Sequence, residues 1–544
     1  MINTELNQFT VDSELTQIAS YFSVVDNAIK ASDTNKRYKI STNNCEGAPA
    51  PFMLGSWCSV PISPQGDNMM DLYNSYITVK LNLGQLYDGS SKIPSAGIDG
   101  CISAPKYWVG FKDAADIIEQ YQLVANGQAF YTQSFAIEES YLTSLACPDT
   151  IKKCDPYSKT THEMVWAGSP LAKTGVYFSK SDLYGQSGAK DLIIELKIDL
   201  RRILPLSTVK YIPEFVGNLE FRFKPSIAGL VVAAVGYEGL VMKNGYSHLA
   251  TYPAITNQFI PFEEFLNGNL TGITTIAETS SGSYMYNLTA AAVSGITRRG
   301  DLKIESAKSH LACFGLDINI YNQLAARYEE MALSFPIQTL TINQMNGKIN
   351  SSAAGGTATT TITLVPRFVD SIFILFPETH NHHTVFHNIF AQHYSLKMGG
   401  YGSFPEVQYS TDSPEYFECL SNVYNTNNDR IGFSQEVVNS VIYRPSSIAN
   451  LKLGTESFDC SDFVLAIPTS TDNTFQQGQT SNTTINYQLI THFNGTFSPL
   501  LQSGIECVPL FCFLKDSVLA IQRRPGGAPP IITLDEYDIT TPSQ

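Results

Sequence analysis

Charge is the first thing this chain has little of. Asp, Glu, Lys and Arg make up 16% of its 544 residues, against about 25% in an ordinary soluble domain. What charge there is leans acidic, with a formal balance of −15. Gripping a phosphate backbone takes a basic surface that releases counterions, so no direct nucleic-acid binding is expected. The basic pairs Arg201-Arg202, Arg298-Arg299 and Arg523-Arg524 read as solvated or matched with carboxylates. Long apolar runs are missing too. The longest, Gly229–Met242, is interrupted by Glu238 and falls short of the roughly 20 residues that cross a bilayer. The chain opens without a basic segment, apolar stretch and small-residue cleavage site, so no secretory signal is expected. None of the ten cysteines forms a CxxC pair. Without export they are expected to be reduced and mostly buried.

The signatures of catalysis are absent as well. Gly185–Asp191 (GQSGAKD) has the wrong spacing for a phosphate loop and no Ser or Thr after its Lys. No GxSxG, GxGxxG or HExxH occurs; His162-Glu163 is followed by Met164-Val165-Trp166, without the second histidine. The carboxylate doublets Glu138-Glu139, Glu263-Glu264 and Glu329-Glu330 do not by themselves make a glycosidase pair, whose acids need not be neighbours in sequence. No catalytic residue and no cofactor is assigned, and the chain is not expected to be an enzyme. Five of the nine histidines fall at 380, 382, 383, 387 and 393. On a helix, His383 and His387 would share a face at the i,i+4 spacing of a zinc pair, the bland alternative being a polar segment at a domain edge. Arg299-Gly300-Asp301 spells a receptor-contact tripeptide within a long insertion, though so short a string also arises by chance.

What is present is a pattern stated twice. Gln120–Val124, a turn at Asn126-Gly127, Ala129–Tyr131 and then Glu138–Leu142 read as strand, turn, strand and short helix. Gln392–Leu396, Gly399-Gly400, an extended stretch and Glu415–Leu420 read the same way. Leu192–Leu200 is answered by Asp462–Thr469, and Gly217–Lys224 by Thr484–Thr491. The order is kept at an offset of about half the chain, so the repeating unit is a whole β domain. Many short strands with long connections fit an all-β fold of two tandem eight-stranded jelly rolls, with a few short helices and long loop insertions.

The expected organisation follows. Residues 1–48 form an arm whose Leu15, Ile18, Phe22, Val25 and Ile29 make one apolar helical stripe, suited to docking on a partner or on its own domain. The first roll covers 49–321, with an insertion over about 236–305. Residues 322–333 make a helical connector, 334–522 the second roll and 523–544 a tail too Pro/Gly-rich and acidic to form a core alone. Leu316–Ile320 (LDINI) is one of the strand candidates of the first roll.

Several stretches resemble a known family. Phe368–Pro377 (FVDSIFILFP), Tyr394–Pro405 with Tyr409–Leu420, Phe463–Ala466 with Phe475–Gly478, Phe513–Leu519, and Asp191–Leu206 with Asn218–Phe223 are similar to the double jelly-roll major capsid proteins of virophages and polinton-like viruses. That resemblance implies a homotrimer forming a pseudo-hexagonal tile, contacts with neighbouring trimers, penton and minor capsid proteins, and a place in the icosahedral shell of a virion. The alternative reading is a carbohydrate- or receptor-binding β-sandwich of the spike or lectin kind.

Overall fold

The computed structural model describes residues 37–42, 52–53, 56–64, 68–88, 106–145, 155–161, 164–165, 168–234, 259–262, 296–299, 302–330, 332–349, 356–377, 393–399, 407–409, 414–424, 463–469, 483–493, 507–524 and 530–535, with isolated positions such as 21, 25, 384, 386 and 391.

The first half begins with β1 (Arg37–Thr42), β2 (Phe52–Met53), β3 (Cys58–Pro61), β4 (Met69–Asn82), β5 (Gln85–Asp88) and β6 (Lys106–Phe111). The hairpin β7 (Ile118–Ala125) and β8 (Gln128–Gln133) leads into helix α1 (Ala136–Leu145). Then come β9 (Gly175–Ser179), β10 (Ile193–Asp199), β11 (Tyr211–Pro213), β12 (Leu219–Pro225) and β13 (Leu230–Ala234). The half closes with β14 (Ile260–Pro261), β15 (Ile296–Arg299) and β16 (Lys303–Phe314). Helix α2 (Ile318–Glu330) links it to β17 (Leu333–Gln344), β18 (Thr357–Leu364), β19 (Val369–Leu375), β20 (His393–Gly399) and β21 (Val407–Tyr409). After helix α3 (Pro414–Tyr424) come β22 (Leu465–Pro468), β23 (Ile485–His492), β24 (Leu510–Gln522) and β25 (Ile531–Asp535).

In the first half, one sheet runs β1-β16-β4-β10 and the other β3-β12-β7-β8. In the second half the sheets run β17-β24-β19-β22 and β18-β23-β20-β21. Counting the eight strands of each half in chain order, both halves read 1-8-3-6 and 2-7-4-5. That is the strand order of a jelly roll, and it appears twice. The repeated sequence segments fall on equivalent strands: the fourth (β7, β20), sixth (β10, β22) and seventh (β12, β23).

Local chemistry explains the elements. In β12, Leu219, Phe221 and Phe223 point inward while Glu220, Arg222 and Lys224 stay half-exposed, the period-two pattern of a sheet with one wet face. The β7–β8 turn places Asn126 at φ 50° and Gly127 at φ 83°, the paired positive φ values that a two-residue hairpin requires. Three long connections of the first roll meet in a separate sheet, β14-β13-β6-β9. Trp108, Val165, Ala172, Val231, Ala233 and Phe259 form its small core. Gly110 and Gly175 lie so close beside the Trp108 ring that a Cβ on either would collide with it.

Four expectations need correction. Leu316–Ile320 is not a strand: α2 starts at Ile318, and the Asp317 carboxylate accepts the Asn319 N–H at 2.9 Å, an N-terminal cap that outweighs a short alternating pattern. Arg37–Thr42, assigned to the arm, is β1 and pairs with β16 from Arg37↔Cys313 to Thr42↔Lys308, because the exposed edge of β16 offers it a full ladder. The tail supplies β25, which pairs with β24 from Val518 to Gln522, and its Ile532 and Leu534 pack on the first core. Cys58 is disulfide-bonded. Proximity permits such a bond and an oxidising environment makes it, so the expectation of reduced thiols fails at Cys58.

Candidate functional site: the junction between the rolls

The residues singled out in the sequence are scattered. Of the apolar stripe, Val25 is fully buried in this chain's own core, and Leu15, Ile18, Phe22 and Ile29 lie outside the described residues. Tyr21, which the stripe did not include, is buried edge-on to Tyr328 and Phe335 at ring separations of 5.9 and 6.3 Å. His383 and His387 lie outside the described residues. Their neighbour His393 stacks on His492 across β20 and β23 at 4.0 Å. Among the described residues no three His, Cys, Asp or Glu side chains converge as metal ligands would. Arg299 ends β15 opposite Gln85, so it sits in a strand rather than a free loop. Gly300 and Asp301 lie outside the described residues.

The richest chemistry lies where the rolls meet, and each roll contributes to the other's core. Leu333, Phe335 and Ile337 of β17 with Leu519 and Ile521 of β24 belong to the first core, while Tyr141, Leu142, Leu145 and Leu204 belong to the second. Strand parity shows how. Phe511 and Phe513 pack on Tyr487 of the opposing sheet at 5.0 and 5.4 Å, so Cys512 points out of the roll. That outer face carries Ile342, Cys512, Phe373 and Ala466 in one row across the strands. All four are buried in one core cluster with Tyr141, Leu142 and Leu145 of α1, and Glu138 of α1 lies near the Cys512 thiol. Tyr141 meets Phe386 at a ring separation of 4.4 Å. β17 is an edge strand, which tolerates Pro336. The Pro336 carbonyl, turned out of the ladder, accepts the Thr208 hydroxyl at 2.6 Å.

A buried polar network anchors α1 from its other side. Glu139 accepts from Tyr121 Oη at 2.7 Å, Gln133 Nε2 at 2.7 Å and Leu204 N at 3.2 Å. The same Gln133 amide donates to the Leu340 carbonyl of the second roll at 2.9 Å. Ser140 donates to Asp116 at 2.9 Å. Arg202 forks onto Asp113, with Nη1 to Oδ1 at 2.9 Å and Nη2 to Oδ2. Burial pushes the Glu139 carboxyl up to about 6 against the pull of its three donors. Asp116 is raised well above the usual carboxylate range, by burial first and the Asp113 charge second. A cavity of about 20 Å3 beside Glu139, Ser140, Thr143 and Arg202 has room for a single water. The sequence held signals for part of this, since the Glu138-Glu139 doublet and Arg201-Arg202 stand out. Asp113, Gln133 and Tyr121 carry no such mark.

Two rolls of one strand order in one chain define a double jelly roll. No protein-family model matches the sequence, and no curated protein does. Among solved structures, the chain is similar to the mavirus major capsid protein at 10% identity and TM-score 0.46, covering 95% of this chain and 96% of that one. A structure of the Sputnik virophage matches at 10% identity and TM-score 0.42, over 94% and 92%. The Faustovirus major capsid protein matches at 8% and 0.42, over 90% and 91%. At this looseness of superposition the likeness carries no argument of its own, and the fold rests on strand order.

Proposed function

We propose that the chain is a major capsid protein that self-assembles as pseudo-hexagonal trimers into an icosahedral shell. The observation that carries this reading is the duplicated roll, fixed in one orientation by reciprocal core exchange. Two copies of one fold held rigidly side by side give a tile edge, and three such chains close a ring of six rolls under three-fold symmetry. A binding protein or an enzyme needs one groove or cleft, not two matched rolls. The work is mechanical: area buried between subunits and between tiles holds the shell, and low charge limits the desolvation cost of those contacts. In this reading the partners are two further copies, neighbouring trimers, penton and minor capsid proteins. On the same reading the protein resides in the virion. The test is electron microscopy of the purified protein across salt and pH. Pseudo-hexagonal particles, sheets or shells are expected; only isolated single chains under every condition would refute the reading.

A further inference from the structure

Helices α1 and α3 follow the fifth strand of their rolls, yet their outward faces differ. On α1 that face is Glu138, Tyr141, Leu142 and Leu145, all buried against the second roll. The inward face of α3 is Tyr416, Leu420 and Val423, all buried in the second core. Aligning inward faces puts Glu415, Glu418 and Cys419 of α3 where α1 has Glu138, Tyr141 and Leu142. Glu415 and Glu418 are exposed and Cys419 is half-buried.

The sheets differ in the matching way. The outer face of β17-β24-β19-β22 is apolar and covered by α1. The outer face of β1-β16-β4-β10 carries the rows His310–Tyr76–Asp199, Lys308–Thr78–Lys197 and Ser306–Lys80–Glu195. These residues are half-exposed or, at Glu195, exposed. His310 stacks on Tyr76 at 4.5 Å, and Lys197 lies over the same ring at 4.9 Å. The face is aromatic at its centre, and its lysines are interleaved with carboxylates: Lys197 pairs with Asp155 and with Asp199 at 3.4 Å, and Lys80 with Glu305 at 2.9 Å.

We propose that α3 of a second copy of this chain docks on this face of the first roll, repeating between subunits the contact that α1 makes within one. This rests on the self-assembly reading and assigns it a surface. Charge agrees at Lys308: the outward side of α3 presents Glu415 and Glu418, and the middle row of the sheet presents Lys308 beside a Lys197 already held by Asp155 and Asp199. Character agrees as well. The contact inside a chain is never exposed and is built from Tyr and Leu, whereas the contact between chains must stay soluble before assembly and is polar. Interfaces that form after folding are less apolar than permanent ones.

The test is charge reversal in the full-length chain. Glu418→Lys and Lys308→Glu each weaken association about ten-fold or more by sedimentation velocity, and the double reversal restores it to within about three-fold of the parent. The variants are compared only after circular dichroism shows an unchanged fold. As a second route, Glu418→Cys combined with Thr78→Cys gives inter-chain disulfides on mild oxidation, seen as covalent multimers on a non-reducing gel. Trimers that form normally in both single reversals and give no cross-link would overturn this surface while leaving the capsid reading intact. Absence of any association in the parent would overturn both.

Discussion

The two halves of this molecule have the same strand order and opposite surfaces. The second roll turns an apolar sheet face inward, covered by α1, while the first turns outward a polar face on which lysines and carboxylates pair. The helices show the same division, since α1 is buried on both sides and α3 keeps an exposed stripe. One fold used twice has diverged where the two copies have different neighbours. Inside each roll the requirement is shared, and so Phe221 and Tyr487 both sit at 0% exposure on equivalent strands.

The largest effect that sharpens this contrast is a paired truncation. Leu142→Ala removes a buried side chain from the inter-roll core and is expected to lower stability by about 3 kcal/mol. Cys419→Ala, at the matching place on α3, is expected to cost less than about 1 kcal/mol in the isolated chain. Denaturant unfolding of both variants measures the difference, and equal losses would erase the distinction between the helices.

The next effect is a pH dependence confined to the junction. Glu139 titrates near 6 in the folded chain and from its ordinary 4.5 when unfolded. Its folded pKa is raised, so its contribution is at full strength below about 4.5 and is lost as the pH climbs through about 6, a change of about 2 kcal/mol. Exposed carboxylates run the other way: Glu305 is held below its ordinary range, first by its hydrogen bond from Lys80. The Glu139 share is therefore read as a difference. Stability measured from pH 4 to 8 should lose this downward slope in Glu139→Gln, whatever its absolute stability, and an unchanged slope would remove Glu139 from the account. The smallest effect is at the edge strand, where Thr208→Val takes away the hydroxyl that satisfies the Pro336 carbonyl. About 1 kcal/mol is expected from equilibrium unfolding.

The strands of both rolls were legible because alternation and turn residues are local signals. β12 alternates cleanly, and Asn126-Gly127 marks the β7–β8 hairpin without outside help. Elements whose structure depends on a distant neighbour were not legible. β1 and β25 are strands because β16 and β24 leave edges open to them, and nothing in Arg37–Thr42 or Ile531–Asp535 announces those edges. LDINI was misread because five residues fit either period until Asp317 caps the helix. The junction was legible only in fragments. Glu139 and Arg202 stand out as charges, but Gln133 matters for bridging to Leu340, a backbone carbonyl 207 positions away. Tyr76, His310 and Lys197 come together only through strand register.

The most direct measurement of the central claim is the native mass of the purified chain by light scattering at near-neutral pH. The account predicts a species of about three times 59.8 kDa, whose association weakens when Glu418 and Lys308 are reversed one at a time. A stable species of one chain mass, unchanged by concentration, salt or pH, would contradict it.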